Sequence, residues 1–213
     1  MITVSKFISV GFLAVGVIIL MQVILPLLSF QVWKLGQKHM SQVLVSPIKA
    51  NKQVLGISVQ NKNNFPAFIS SLTRQTQPNY SVFAISVPRL KMEKTNVFVD
   101  SNDLSKGLVQ LPGSALPGEK GNLFISGHSA LSKFVAEESA PFAKLTDLKK
   151  GDEIFVEAGN SKFVYKVVEI KVVDPTDVSV IPAPEEQGRY ISLMTCVPPG
   201  LNLKRLIVLG KMV

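Results

Sequence analysis

Cysteine is almost missing from this chain of 213 residues, which holds one, Cys196. A single thiol forms no internal disulfide, so a disulfide-stapled scaffold is excluded. Histidine is scarce as well, with only His39 and His128. One Cys and two His supply too few soft ligands for a zinc site, and no paired C-x2-C spacing exists, so neither metal nor cofactor is expected. A phosphate-cradling glycine loop is lacking too, because 116–122 (LPGEKGN) reads as a turn. Dense Lys/Arg blocks interleaved with aromatics do not occur, which argues against a nucleic-acid partner despite the basic composition. Neither an internal repeat nor an alternating βα pattern is visible, which argues against solenoids and doubly wound folds.

What is present starts with charge. Lys and Arg total 23 and Asp and Glu 15, a formal net charge of +8, which suits an anionic surface such as a polyanionic cell wall. From Phe7 to Phe30 the chain is almost continuously apolar and carries no formal charge. A helix of ~20 residues crosses a hydrocarbon layer of ~30 Å, so this segment is long enough to be a membrane anchor. Trp33 follows at the position of an interfacial aromatic. A cleaved signal peptide is the competing reading, but the run exceeds a usual signal core and no small-x-small cleavage site follows. Lys6 precedes the span and Lys34 and Lys38 follow it, so the flanking charges do not themselves favour an external C-terminal domain; that rule weakens for long translocated domains. The expected organisation is an anchor over 1–33, a stalk or lead-in over 34–78, and one domain over 79–213.

Thirteen prolines and fourteen glycines are spread widely, a sign of many turns. From Tyr80 short apolar runs recur between turn signals. Strands are predicted at 81–87, 96–99, 122–126, 153–157, 162–173, 191–195 and 206–213. Short helices are predicted at 104–110, capped near Ser101 or Asn102, and at 142–148. A long loop with three prolines runs from Asp174 to Arg189. About eight short strands with few helices imply a mainly β fold, either an antiparallel sandwich or a closed barrel.

Cys196 ends the strand-like run Tyr190–Cys196, and Val197-Pro198-Pro199-Gly200 stops it. Arg205 opens the next apolar run, and His128 stands just past the predicted strand 122–126. A thiol is nucleophilic as the thiolate, with a free pKa of ~8.5, so it needs a base or a cation beside it. His128 is the available base, and Arg205 supplies fixed charge for a thiolate or an oxyanion. Each also has a plain structural reading: a core-filling cysteine, a turn-capping histidine and a surface arginine. Residue types and spacing leave both readings open. Glu185-Glu186 in the long loop reads as a solvated acidic turn in preference to a cation site.

Beyond the trio, several motifs stand in order over about 130 residues. They are Ile85-Ser86-Val87-Pro88, then Pro117–Asn122 with Ile125-Ser126-Gly127-His128, then Phe134, and then Phe142-Ala143-x-Leu145-x-x-Leu148-x-x-Gly151-Asp152. Leu193-Met194-Thr195-Cys196 and Arg205-Leu206-Ile207-Val208 complete the series. Any one is weak, but in this order and spacing they resemble the sortases, membrane-anchored cysteine transpeptidases of the bacterial cell surface. The resemblance implies a closed eight-stranded β-barrel with a few short helices behind an N-terminal transmembrane helix. It implies Cys196 as nucleophile on the Thr-Gly bond of an LPXTG-like sorting signal and His128 as general acid and base. Arg205 would stabilise the oxyanion or position the substrate. The partners implied are surface proteins or pilins bearing the signal, with an amine of a peptidoglycan peptide or a pilin lysine as acceptor. The location implied is the cell membrane, single-pass, with the catalytic domain outside.

The chain also departs from the family. Ser192 stands where Thr is frequent, and Ser129 follows His128 where some classes have Arg. The text from Thr195 to Arg205 resembles class B and C enzymes, yet no second apolar span follows it in this sequence, and 34–78 lacks the Asp-Pro-aromatic lid of the pilin polymerases; class and acceptor stay open. Two other readings stand beside transpeptidation: a catalytically degenerate sortase-like surface protein that binds signals, and a cysteine hydrolase that uses water.

Overall fold

The computed structural model describes residues 57–62, 65–70, 77–129, 140–199 and 202–213, with helical positions 12–18, 20, 21, 24, 28 and 32. The chain divides into two compact units, Met1–Pro47 and Ile48–Val213. In the first, the described positions carry exposed apolar side chains, among them Phe12, Leu13, Ile18 and Leu20. No helix among the described residues is long and apolar enough to cross a membrane. The anchor expected over 1–33 falls largely outside the described residues.

The second unit is built from strands. β1 (Ile57–Lys62) and β2 (Phe65–Ser70) form an antiparallel hairpin. β3 (Val82–Val87), β4 (Met92–Phe98), β5 (Leu108–Gln110), β6 (Gly121–Ser126), β7 (Glu153–Ala158), β8 (Ser161–Val173), β9 (Arg189–Val197) and β10 (Lys204–Met212) follow. These eight close a barrel in the order β10-β8-β7-β3-β4-β5-β6-β9. Of the two sequence alternatives, the closed barrel is the observed one. The pairings are antiparallel except β4 with β5 and β6 with β9. Closure leaves no free strand edge among the eight.

Strand period sets what each strand buries. On β3 Phe83, Ile85 and Val87 are buried while Val82, Ala84 and Ser86 are partly exposed, the alternation of a strand with one solvated face. β9 differs, with every residue from Tyr190 to Val197 buried. Such a run needs cover on both faces. One side chain set, Ile191, Leu193 and Thr195, alternates with Ser192, Met194 and Cys196. The Met194 face meets a second apolar cluster of Phe124, Ile207 and Leu111, closed over by Phe68 of β2 and by Val178, Val180 and Ile181 of the loop after β8. Phe68 and Phe124 pack ring on tilted ring, with centroids 6.0 Å apart.

Two sequence expectations change here. The helix expected over 104–110 is one 3-10 turn, Leu104–Lys106, followed by strand β5. Asp103, rather than Ser101 or Asn102, caps it, its carboxylate accepting from Ser105 N at 3.2 Å. Gly107 takes φ 112°, a conformation closed to most side chains, and that ends the turn. Leu108 and Val109 are then drawn into the barrel as buried strand residues. The helix expected over 142–148 is likewise shorter, a turn leading into a 3-10 segment at Leu145–Asp147. The stretch expected as a lead-in over 34–78 lies partly outside the described residues; β1 and β2 within it fall in the unit Ile48–Val213. Ser70 and Asn102 join hairpin to barrel by a reciprocal pair, Ser70 N to Asn102 Oδ1 and Asn102 Nδ2 to Ser70 O, at 3.3 and 3.2 Å.

Phe68 is the buried apolar side chain known to tie this hairpin down, and burying a phenylalanine contributes about 1.5–3 kcal/mol. Phe68→Ala is therefore expected to speed amide hydrogen exchange across 57–70 by roughly ten- to a hundredfold, with β7–β10 unchanged. Equal loss of protection in both regions would show that the hairpin is no separate cooperative element.

Candidate active site

The three residues picked from the sequence are carried by three consecutive strands of the barrel. β9 lies between β6, parallel to it, and β10, antiparallel to it. Cys196 and Arg205 are direct register partners across β9 and β10. Partners of this kind project to the same face with Cβ atoms about 4.5–5.5 Å apart. The antiparallel connection through residues 198–203 therefore brings two positions nine apart in sequence into contact. β9 stops after Val197 because Pro198 and Pro199 have no N–H to extend the ladder.

His128 comes from the other side. β6 runs parallel to β9 from Gly121 opposite Arg189 to Ser126 opposite Met194. Gly127 continues the pairing by one rung, its N–H donating to Met194 O at 3.1 Å. His128 follows at once, partly exposed, on the turn beside the Cys196 end of β9. Gly127 has to be glycine on packing grounds: a Cβ there would stand 2.4 Å from Leu108 Cδ2 and 2.7 Å from Phe142 Cδ2.

Sequence reasoning did not single out the residues that tie this corner together. Thr195 Oγ1 donates to Gly127 O at 2.9 Å, and Ser129 Oγ donates to Cys196 O at 2.6 Å. Asn122, buried on β6, donates from Nδ2 to Ser192 Oγ and to Ile181 O, both at 2.9 Å. It thereby pins the loop after β8 to the face that Cys196 shares. Thr195 and Asn122 stand within the ordered motifs, and Ser129 stood out only as a departure after His128; Phe68 left no signal, because its partners lie on other strands and in the loop after β8. Phe134, a further part of the motif series, falls outside the described residues. Glu185 of the long loop pairs with Lys211 on β10 at 3.1 Å.

The electrostatics of the site follow from burial. Cys196 is 1% exposed and Arg205 0%. Desolvation penalises the thiolate and pushes the Cys196 pKa up to about 11, while the Arg205 charge pulls in the opposite direction. Burial likewise draws the Arg205 guanidinium down, with Cys196 opposing. Its Nη1 donates to Lys204 O at 3.1 Å. Burial also lowers the His128 pKa below its ordinary value. At neutral pH the resting pair is thus a neutral thiol and a neutral imidazole, since burial moves the thiol pKa up and the imidazole pKa down. Among the described residues the site brings together a thiol, an imidazole and a guanidinium, a set suited to nucleophilic attack, proton transfer and charge stabilisation.

Fold and site together define a mainly β, closed-barrel protein with a cysteine-centred site on one outer face. Comparison with known proteins narrows this. A family model described as Sortase domain matches residues 85–213. Sortase D of Bacillus subtilis (strain 168) is 32% identical over 133 residues, covering 61% of this chain and 62% of that relative. Sortase A of Listeria monocytogenes serovar 1/2a is 28% identical over 183 residues, covering 83% of this chain and 78% of the relative. Among solved structures, a lid mutant of sortase A from Corynebacterium diphtheriae superposes with TM-score 0.55 at 31% identity, over 65% of this chain and 73% of that one. The chain belongs to the sortase family. Its match spans about three fifths of the B. subtilis relative and 29% of sortase SrtE1 of Streptomyces coelicolor.

The thiol's burial yields a direct check. The rate of Cys196 alkylation by iodoacetamide is expected to rise close to tenfold per pH unit from about 7 to about 9.5 without levelling, since the thiolate fraction is still small throughout. Arg205→Gln removes the cation that favours the thiolate, so it should shift the curve to still higher pH. A plateau below about 9, near the free-thiol range, would contradict the buried neutral resting state.

Proposed function

We propose that this protein is a cysteine transpeptidase that cleaves an LPXTG-like sorting signal between Thr and Gly and passes the acyl group to an amine. The observation that carries this reading is the register pairing of Cys196 with Arg205 on β9 and β10, with the His128 turn bonded to the same end of β9 from β6. Cys196 Sγ attacks the threonine carbonyl carbon as its proton passes to His128. The C–S bond forms, and the carbonyl oxygen takes up negative charge beside Arg205. Collapse breaks the C–N bond, and His128 delivers its proton to the departing glycine amine. An incoming amine then gives its proton to His128 and attacks the thioester. The new C–N bond forms, the C–S bond breaks, and the thiolate is reprotonated.

Each group has a physical task. Because the resting thiol and imidazole are both neutral, proton transfer has to accompany attack, and a positioned general base contributes about 10²–10⁴-fold to such a step. Arg205 is buried, so its charge acts through a low-dielectric path, where one oxyanion donor is worth about 10²–10³ in rate. The acceptor is a cell-wall peptide amine or a pilin lysine, and the substrates are surface proteins or pilins that bear the signal. The burial of Cys196 is the one feature that favours the alternative of a signal-binding protein without turnover, and amine-dependent product separates the two.

With full-length protein in detergent, an LPXTG-like peptide and a primary amine should yield the amide. Cys196→Ala is expected to abolish product and Arg205→Lys to lower kcat/KM at least tenfold, since a point charge lacks the planar fork. Unchanged turnover in Cys196→Ala would sink the mechanism. Product formed equally without amine would assign the hydrolase reading instead.

The location proposed is the cell membrane, with the barrel outside. It rests on the uncharged apolar run Phe7–Phe30 and the exposed apolar side chains at its described positions. The full chain is expected to stay with the membrane pellet after alkaline carbonate washing, and deletion of 1–33 to release it. Release of the full chain by carbonate would exclude an integral anchor.

A further inference from the structure

The pairing of β6 with β9 fails at a telling place. In a parallel ladder each N–H donates to the carbonyl one rung on, and successive rungs lie two residues apart. Gly127 N to Met194 O, at 3.1 Å, is such a rung. The next N–H in line for the Cys196 carbonyl is that of Ser129. The Ser129 side-chain hydroxyl makes a bond to that carbonyl, at 2.6 Å. Thr195 Oγ1 fills a matching role on the rung before, donating to Gly127 O at 2.9 Å. These two hydroxyl bonds bracket His128, one on the residue before it and one on the residue after. The backbone between them turns out of the ladder, and His128 O accepts from Phe142 N at 3.2 Å as it does so.

We propose that Ser129 is a positioning residue for the reaction: its hydroxyl fastens the far side of the His128 turn to the carbonyl of Cys196 itself. The nucleophile's own residue thereby becomes the anchor for the base. The inference rests on the transpeptidase reading for its kinetic meaning, though the bond and its structural effect stand apart from it. Proton transfer between imidazole and thiol depends steeply on separation, and a misplacement of about 1 Å costs on the order of 10²-fold in rate. The Thr195 bond and the Gly127 rung hold only the near side of the turn. Without Ser129 Oγ the turn keeps the Gly127 rung and the Phe142 bond to His128 O, and loses its tie to the carbonyl of the nucleophile's own residue. KM is expected to hold, since the Ser129 hydroxyl is bonded to Cys196 O and acts on the His128 turn.

The test uses the full-length protein with Ser129→Ala and Ser129→Thr, an LPXTG-like peptide and a primary amine. Ser129→Ala is expected to lower kcat roughly ten- to a hundredfold with KM within about twofold. Thermal unfolding should move by no more than a few degrees, and Ser129→Thr, which keeps the hydroxyl, should restore kcat to within about threefold. The chain has only two histidines, so the His128 ring signals can also be followed by NMR without any substrate. They should shift and broaden in Ser129→Ala and return in Ser129→Thr. Wild-type kcat in Ser129→Ala would overturn the proposal, as would a loss that Ser129→Thr does not restore, which would mark a packing role. Absence of turnover in the wild type would overturn the transpeptidase reading alone; the NMR comparison would then decide the clamp, with unchanged His128 signals in Ser129→Ala overturning it.

Discussion

Placing β9 between β6 and β10 is the constraint from which the rest of this structure follows. One strand is paired parallel on one side and antiparallel on the other, and all of its residues from Tyr190 to Val197 are buried. The antiparallel side sets Arg205 opposite Cys196; the parallel side brings the end of β6, and with it His128, to the same corner. A slip of one residue between β9 and β10 would part the thiol from its arginine, and one between β6 and β9 would shift the His128 turn along β9. Register here is therefore held by the two apolar faces of β9 at once, and the chemistry inherits its geometry from packing.

That packing carries an electrostatic cost. A buried guanidinium and a thiol kept neutral by burial are both expensive arrangements, and each offsets part of the other's cost only if the thiol ionises. The resting protein thus holds its charge on Arg205 and withholds it from Cys196. The cover over this face is composite. Phe68 comes from a hairpin early in the chain, Val178, Val180 and Ile181 from a loop late in it, and Asn122 ties that loop to β6 and β9. Such pieces can separate from the face more readily than barrel strands can part from each other, because they contribute side chains to it and no ladder hydrogen bonds.

Much of the barrel was legible in the sequence because local pattern and tertiary role agree. The alternation in 81–87 and the long apolar strand over 162–173 read correctly as strands, since each satisfies its own period between turn residues. Leu104–Gln110 misled because its residues suit a helix by composition, while Gly107 at φ 112° and the pull of Leu108 and Val109 into the barrel break it after one turn. The hairpin over 57–70 was hidden for another reason. Its polar Asn61-Lys62-Asn63-Asn64 centre reads as loop, and only the face beneath Phe68, built from residues more than forty positions on, reveals what that side chain is for.

The amino-acid sequence alone determined the scarcity of thiols and imidazoles, the strand periods, and the ordered motifs that place the chain among the sortases. Those are properties of composition and spacing, and they survive without coordinates. It named Cys196, His128 and Arg205 but could not say how they meet. Tertiary structure decided that the arginine faces the cysteine across a ladder, that the thiol rests neutral and buried, and that hydroxyls from Thr195 and Ser129 stand in where the β6–β9 ladder gives way. Each of these depends on register, desolvation or contact between residues far apart in the chain, and such quantities exist only once the barrel has closed.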